Sequence, residues 1–381
     1  MLVYIREKKD WVKRKSNNAK DDRILLFPGF YNAHTHVAMT LLRGIAENLN
    51  LHDWLKNIVW PIEEQLNERD IYYSSLIGFY EMIESGVVLF NDMYWKHVEQ
   101  IAKAAEDVGI NGYVCYDVAL SNDLKKAKTF LNKKYKHVKP CIALHSIYKA
   151  DKELIKEAYE IAKEHSTLLH IHLAETREEL VYSLQKFKKR PAEFLLDLGV
   201  IDSNTVLAHA SWVTLREIKL LAEKKALIVH CPTSNLKLAT GGICPLHEFQ
   251  KYNANIAIGT DSVASNNALD MFNELKLAAL LQKHRYWDAS LPDLKELFYS
   301  ATCNANANVI FELSINNVPF YDPYNNLIYN GNKKNIKQVS INNQNIINNG
   351  AFTKKHDKKI KECISYLDKR ADDIREIVRA L

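Results

Sequence analysis

Between residues 24 and 311, short apolar runs alternate with longer stretches whose apolar residues recur every three or four positions. The runs have strand length: ILLFPGFYNAHTH (24–36), VVLFNDMY (87–94), GYVCYDVAL (112–120) and VKPCIALHSI (138–147). Four more follow: TLLHIHLAE (167–175), TVLAHAS (205–211), ALIVHCPTS (226–234) and ANIAIGTDS (254–262). Helical periodicity fills the gaps. In DKELIKEAYEIAKEH, Leu154, Ala158 and Ile161 share one face. In TLREIKLLAEKKA, Thr214 precedes Glu217 by three residues, the spacing of a capping box.

Apolar strands alternating with helices predict a parallel sheet. Eight such units in about 290 residues fit a (β/α)8 TIM-type barrel over 27–311 better than an open doubly wound sheet. No G-x-G-x-x-G follows any run, so a dinucleotide fold has no support. The flanks read differently. Residues 1–26 form a short N-terminal segment, a remnant of a small β domain, and 312–355 are Asn-rich and β-prone. Residues 356–381 read as one amphipathic C-terminal helix with Ile360, Ile364, Leu367, Ile374 and Ile377 on its stripe. The expected architecture is therefore a barrel with a reduced β-rich appendage from the two termini and a terminal helix.

Composition narrows the function classes. Of 381 residues 47% are hydrophobic and 25% charged, an ordinary globular balance, and no run is long enough to span a bilayer. The net charge of +5 invites a nucleic-acid reading. However, the lysines are spread over many helix faces and never interleave with aromatics into a stacking platform. The six cysteines are scattered without a C-x-x-C pair, which argues against a zinc ribbon or disulfide framework. With no apolar leader at its start, the chain reads as cytoplasmic, with a small-molecule partner and neither nucleic acid nor membrane.

The polar residues at the ends of the runs carry the chemistry. His34 and His36 end the first, His145 the fourth, His172 and Glu175 the fifth, His209 the sixth, His230 the seventh and Asp261 the eighth. Residues two apart on a strand face one side, so His34 and His36 can converge on a point. Active sites of such barrels lie at these strand ends. Three imidazoles and a carboxylate suit zinc or another divalent transition metal, with a position left for water. His170 shares the facing of His172 and reads as packing within the barrel. Asp92 reads as a hydrogen bond across the barrel mouth, and His230 as either a core residue or a catalytic one.

Six ordered motifs, PGFYNAHTHVAMTLLRG, WLKNIVWPIEEQL, IHLAET, LAHASWVT, VHCPTSNLKLATG and GTDSVASNN, resemble the amidohydrolase superfamily. More narrowly they resemble its methylthioadenosine/S-adenosylhomocysteine deaminase branch, which includes the archaeal 5′-deoxyadenosine deaminases. The likeness runs from Phe27 to Phe311. It implies that His34, His36, His172 and Asp261 hold one divalent metal per subunit, zinc first, with Fe2+ or Mn2+ as alternatives. It implies Glu175 as the acid/base at the purine, His209 as a contact of the attacking water and Asp261 as the acceptor of that water's proton. Glu63, His145 and Trp54 become substrate contacts, together with Glu175 and Asp261. The implied reaction is hydrolytic deamination at C6 of adenine in 5′-deoxyadenosine, methylthioadenosine, adenosine or S-adenosylhomocysteine. A homo-oligomer, dimer or tetramer, is implied as well.

Some features depart from that pattern or limit it. The fourth strand offers His145 and no lysine before Lys149, which favours a single metal over the bridged pair of hydantoinase-like members. No arginine stands near the third strand, where homologues that take S-adenosylhomocysteine tend to carry one. Glu64, adjacent to Glu63, could exchange roles with it by a one-residue shift. Rival readings are a guanine or cytosine deaminase on the same metal, or a non-catalytic scaffold.

Overall fold

A computed structural model describes residues 1–14, 23–45 and 47–380. Residues 15–22 of the N-terminal segment and Leu381 of the terminal helix lie outside the described residues. Three strands come first: β1 (Leu2–Ile5), β2 (Asp10–Lys13) and β3 (Ile24–Phe27). The barrel follows as β4 (Phe30–Thr35), β5 (Val87–Tyr94), β6 (Asn111–Asp117), β7 (Val138–Leu144), β8 (Leu169–Leu173), β9 (Thr205–His209), β10 (Leu227–His230) and β11 (Asn255–Ile258). These eight form one parallel sheet in sequence order, the expected (β/α)8 arrangement. The sheet closes where a bridge joins Thr35 to Asp261 and the Asp261 N–H donates to the His34 carbonyl at 3.0 Å. Gly259 is required at that seam, because a Cβ there would come within 2.9 Å of His34 backbone atoms.

The run 24–36 is not one strand. Pro28 has no N–H for a ladder, and Gly29 takes φ +96°, a region that favours glycine. The chain turns there, leaving β3 in a second sheet and β4 in the barrel. Four late strands, β12 (Ala307–Glu312), β13 (Ile336–Ile341), β14 (Gln344–Asn348) and β15 (Ala351–Phe352), complete that second sheet. Its order is β15-β14-β13-β12-β3-β1-β2, so β3 is flanked by strands from both ends of the chain. The appendage is thus a seven-stranded sheet.

Barrel strands also stop earlier than the apolar runs suggest. Glu175, Ser211 and Asp261 lie beyond β8, β9 and β11, and Ser234 lies in a short helix (Pro232–Lys237) after β10. The interior below them is filled by side chains, among them Ala33, Val206, Val229 and Ala257 on one side and Met93, Cys115, Cys141 and Ala143 on another. Outside, amphipathic helices cover the sheet. α1 (Glu68–Glu84) buries Phe79 against Phe90 of β5, α2 (Lys152–Glu164) is capped by the Asp151 carboxylate, and α3 (Leu215–Lys224) starts with the expected Thr214–Glu217 capping box. Burying a side chain such as Phe79 contributes about 2 kcal/mol.

The terminal helix α4 (Lys354–Ala380) lies along α1. Asp70 of α1, wholly buried, accepts from Tyr366 Oη at 2.8 Å and from Arg370 Nε at 3.0 Å. Ile374 is buried as expected, but Ile364 faces solvent and Cys363 occupies the contact line instead. Helical geometry turns residue 364 by about 100° from its predecessor, off a line set by 356, 360, 363, 367 and 374. All six cysteines are free and buried. No helix among the described residues is long and apolar enough to cross a membrane.

Candidate metal centre

Four of the residues singled out above meet at the barrel mouth. His34 comes from β4, His36 lies just past it, His172 is on β8, and Asp261 stands three residues beyond β11. One ring nitrogen from each of His34, His36 and His172 lies within 4.8 Å of the others, and His34, His209 and Asp261 form a second such group. Asp261 Oδ1 is 3.5 Å from His34 Nε2 and 3.3 Å from His36 Nε2. The other Asp261 oxygen accepts from Ser234 Oγ at 2.6 Å, which orients the carboxylate. Burial pushes the Asp261 carboxyl up, but hydrogen bonds and charge from His34 and His36 outweigh it and hold the group well below the usual range.

Hydrogen-bond partners decide which nitrogens can ligate. A neutral imidazole offers one donor and one acceptor. His36 Nδ1 donates to the Met93 carbonyl at 2.6 Å and His172 Nδ1 to the His145 carbonyl at 2.7 Å. In the neutral rings that ligation requires, both Nε2 atoms carry lone pairs, and they face each other at 3.3 Å. His34 Nε2 is buried with no hydrogen-bond partner among the described residues. Lone pairs converging on one point, beside a carboxylate, fit a cation. His209 is the opposite case. The Asn235 Nδ2 amide donates to its Nδ1 at 3.1 Å, so Nε2 carries the proton and presents a donor rather than a ligand.

Glu175 sits beside that donor, its Oε2 3.7 Å from His209 Nε2. Burial first, then the charges of Asp261 and Glu179, push the Glu175 carboxyl well above its ordinary range, which favours its protonated form. Glu179 fixes its backbone by accepting from the Ala174 and Glu175 N–H groups, each at 3.0 Å. The turns that aim these groups are strained: Ala174, His209 and Asp261 take φ of 47°, 75° and 60°, uncommon for residues with a Cβ.

A cleft opens above the cluster. Its apolar wall is the helical segment 51–63, where a π-helical turn (Leu55–Val59) precedes Trp60. Trp54, Leu55, Val59, Trp60 and Glu63 of that segment line the cleft. Glu63 is buried and accepts from Tyr94 Oη at 2.7 Å and Trp95 Nε1 at 3.3 Å, whereas Glu64 is exposed, which resolves the choice between the adjacent acids. His145 lines the cleft too, and burial with the charge of His36 lowers its pKa to about 3. Asp92 accepts from the Val37 N–H at 2.6 Å, a bond across the β4–β5 mouth.

His230 stays outside this group. It is buried and does not line the cleft, and neither ring nitrogen has a hydrogen-bond partner among the described residues. Two residues escaped the sequence reading, and a third, His170, was read only as packing. Asn235, which sets the His209 tautomer, was visible only as part of a motif. Asp117, at the end of β6, lines the cleft with its Oδ1 unpartnered. His170 is not simple packing: its Nε2 lies 3.0 Å from His34 Nδ1. Its parity with His172 was the available signal.

A barrel with imidazoles and a carboxylate converging at its strand ends, under a cleft lined by a buried acid, defines a metal-dependent hydrolase. Residues 25–308 match the model of the amidohydrolase family, and the chain belongs to that family. It is similar to the 5-methylthioadenosine/S-adenosylhomocysteine deaminase of Thermococcus sibiricus, 36% identical over 345 residues covering 83% of this chain and 81% of that one. It is also similar to the 5′-deoxyadenosine deaminase of Methanosphaera stadtmanae, 41% identical over 292 residues covering 74% and 68%. Among solved structures, an adenosine deaminase from Xanthomonas campestris with bound zinc superposes with a TM-score of 0.86 at 27% identity, over 94% of this chain and 87% of that one. The resemblance read from the six motifs is borne out.

Proposed function

We propose that this protein hydrolytically deaminates C6 of adenine in 5′-modified adenosines (5′-deoxyadenosine, methylthioadenosine, adenosine or S-adenosylhomocysteine). The products are the inosine-type nucleoside and ammonia. His34, His36, His172 and Asp261 would hold one divalent cation, zinc first. Such a cation supplies acidity, bringing the pKa of a bound water to about 7 so that hydroxide is available at neutral pH.

The chain's own residues do the rest. Glu175, protonated and buried, gives its proton to the ring nitrogen beside C6 as negative charge builds there, a contribution of about 10²–10⁴-fold. The His209 Nε2–H holds the attacking oxygen and the tetrahedral carbon adduct. Asp261 accepts the proton that the water loses and passes it to the departing amine as the C6–N bond breaks. Glu175 recovers its proton from the adduct's hydroxyl, so that ammonia leaves and both acids return to their starting states. Trp54 and Trp60 give the purine or its 5′ group an apolar wall. Glu63 and His145 stand where ribose hydroxyls can be met, the Glu63 carboxylate accepting from them. The single observation that carries this reading is the buried Glu175 carboxyl placed 3.7 Å from His209 Nε2, at the edge of a site built for a cation.

In keeping with the resemblance, we place the enzyme in a dimer or tetramer, and its six free cysteines suit the cytoplasm. The experiment offers the zinc-loaded protein 5′-deoxyadenosine, methylthioadenosine, adenosine, S-adenosylhomocysteine, guanine and cytosine. It follows ammonia release and the loss of adenine absorbance. Turnover of the adenosines supports the reading; turnover of guanine or cytosine alone overturns the substrate and keeps the metal chemistry.

A further inference from the structure

His170 is the one buried imidazole of the barrel interior that touches a ligand candidate without belonging to the ligand set or the cleft. It is fully buried, and both of its ring nitrogens have polar neighbours. Nε2 lies 3.0 Å from His34 Nδ1, and Nδ1 lies 3.3 Å from Asn91 Oδ1 on β5. Asn91 Oδ1 also accepts from Cys115 Sγ at 3.1 Å, and in this orientation the amide presents its oxygen to His170.

The proton positions follow in order. Asn91 Oδ1 can only accept, so His170 Nδ1 carries a hydrogen. A neutral His170 then has its lone pair on Nε2, and the hydrogen between the two rings belongs to His34 Nδ1. His34 is left with its lone pair on Nε2, the buried atom without a partner that lies 3.5 Å from Asp261 Oδ1. Had His170 donated from Nε2 instead, His34 Nε2 would carry a hydrogen and could not bind a cation. His36 and His172 use backbone carbonyls for the same purpose. His34 has a side-chain relay in that place.

We propose that His170, backed by Asn91, is a positioning residue that selects the ligating tautomer of His34. This inference rests on the metal site of the proposed function. A structural filler needs only the volume of the ring. A tautomer selector needs a hydrogen-bond acceptor at the Nε2 position and an acceptor behind it. Outer-shell partners of this sort are typically worth about 10–100-fold in metal affinity.

The test titrates the metal-free protein with Co2+, reading affinity by chelator competition and ligand number from the visible d–d bands. Four variants are compared: H170F, H170Q, N91L and N91D. H170F keeps bulk and removes the acceptor. It should bind cobalt about tenfold or more weakly, with d–d bands changed by loss of one nitrogen ligand. H170Q, whose amide oxygen can take the His34 Nδ1–H, should recover most of the affinity and the wild-type spectrum. N91L, which keeps His170 but releases its tautomer, should weaken binding, and N91D should not. If H170F does not fold, as judged by circular dichroism, the Asn91 pair carries the test. Equal affinity and spectra for H170F and wild type, or N91L binding as tightly as N91D, would overturn the relay. H170Q no better than H170F would do the same. Failure of the wild-type protein to bind cobalt at all would overturn the metal reading beneath it.

Discussion

Glu175 Oε2 lies 3.7 Å from His209 Nε2, a separation too long for a hydrogen bond and wide enough for both groups to address a third atom between them. The two are therefore poised to act on substrate rather than on each other. Replacing Glu175 with Gln removes the transferable proton and leaves the metal cluster intact. Zinc content of E175Q, measured by atomic absorption, should match wild type, while kcat falls by about 10²–10⁴-fold. An unchanged kcat would refute the acid/base assignment.

The tautomers separate His172 from His209, although both lie within reach of the cluster. His172 presents a lone pair and His209 a hydrogen. H172A should therefore purify with little zinc. H209A should retain it and lose about 10²–10³-fold in kcat, the usual cost of deleting a donor aimed at developing charge. Zinc loss in H209A would make His209 a ligand instead.

Glu63, Asp117, Glu175 and Asp261 line the cleft, with no Lys or Arg among the described lining residues. The carboxylate of a homocysteine-type 5′ substituent therefore finds no cation to pair with there. The kcat/KM for 5′-deoxyadenosine and methylthioadenosine should each exceed that for S-adenosylhomocysteine. Side-by-side initial rates measure this, and a preference for S-adenosylhomocysteine would contradict it.

Arg370 and Tyr366 of α4 both serve the buried Asp70 of α1, on the outer side of the barrel. R370A removes a charged hydrogen bond and should destabilise the protein by about 2 kcal/mol, seen as a lower melting temperature. KM and kcat below that temperature should stay as in wild type, because α1 presents this face away from the cleft. A parallel loss of kcat would mean that α4 reaches the site.

The order of strands and the clustering of His34, His36, His172 and Asp261 were legible because each depends on short-range pattern: apolar runs, their spacing, and His or Asp at run ends. The break at Pro28–Gly29 was not read, although both residues were in view, because the apolar character continues across it. Only the position of β12 shows that Leu25 and Phe27 serve another sheet. The site's remaining parts depend on contacts between distant residues. Asn235 matters through His209, twenty-six residues away, and Asn91 through His170, seventy-nine away. Glu63 could be separated from Glu64 only once Tyr94 and Trp95 were seen to reach it.

The barrel's closing seam has a consequence for motion. Every other pair of neighbouring barrel strands is held by a ladder of three or more residues. By contrast, β4 and β11 meet through the Thr35–Asp261 bridge, the bond between the Asp261 N–H and the His34 carbonyl, and side-chain bonds of Asn32 with Thr260 and of Thr35 with the Asp261 carbonyl. His34, His36 and Asp261, which flank that joint, are also ligand candidates. An ion gripped by both sides would act as a rivet across the weakest stave of the barrel. Stripped of it, amide protons at Thr35 and Asp261 should exchange with solvent far sooner than those of the β5–β6 ladder, and the protein should breathe along this one line.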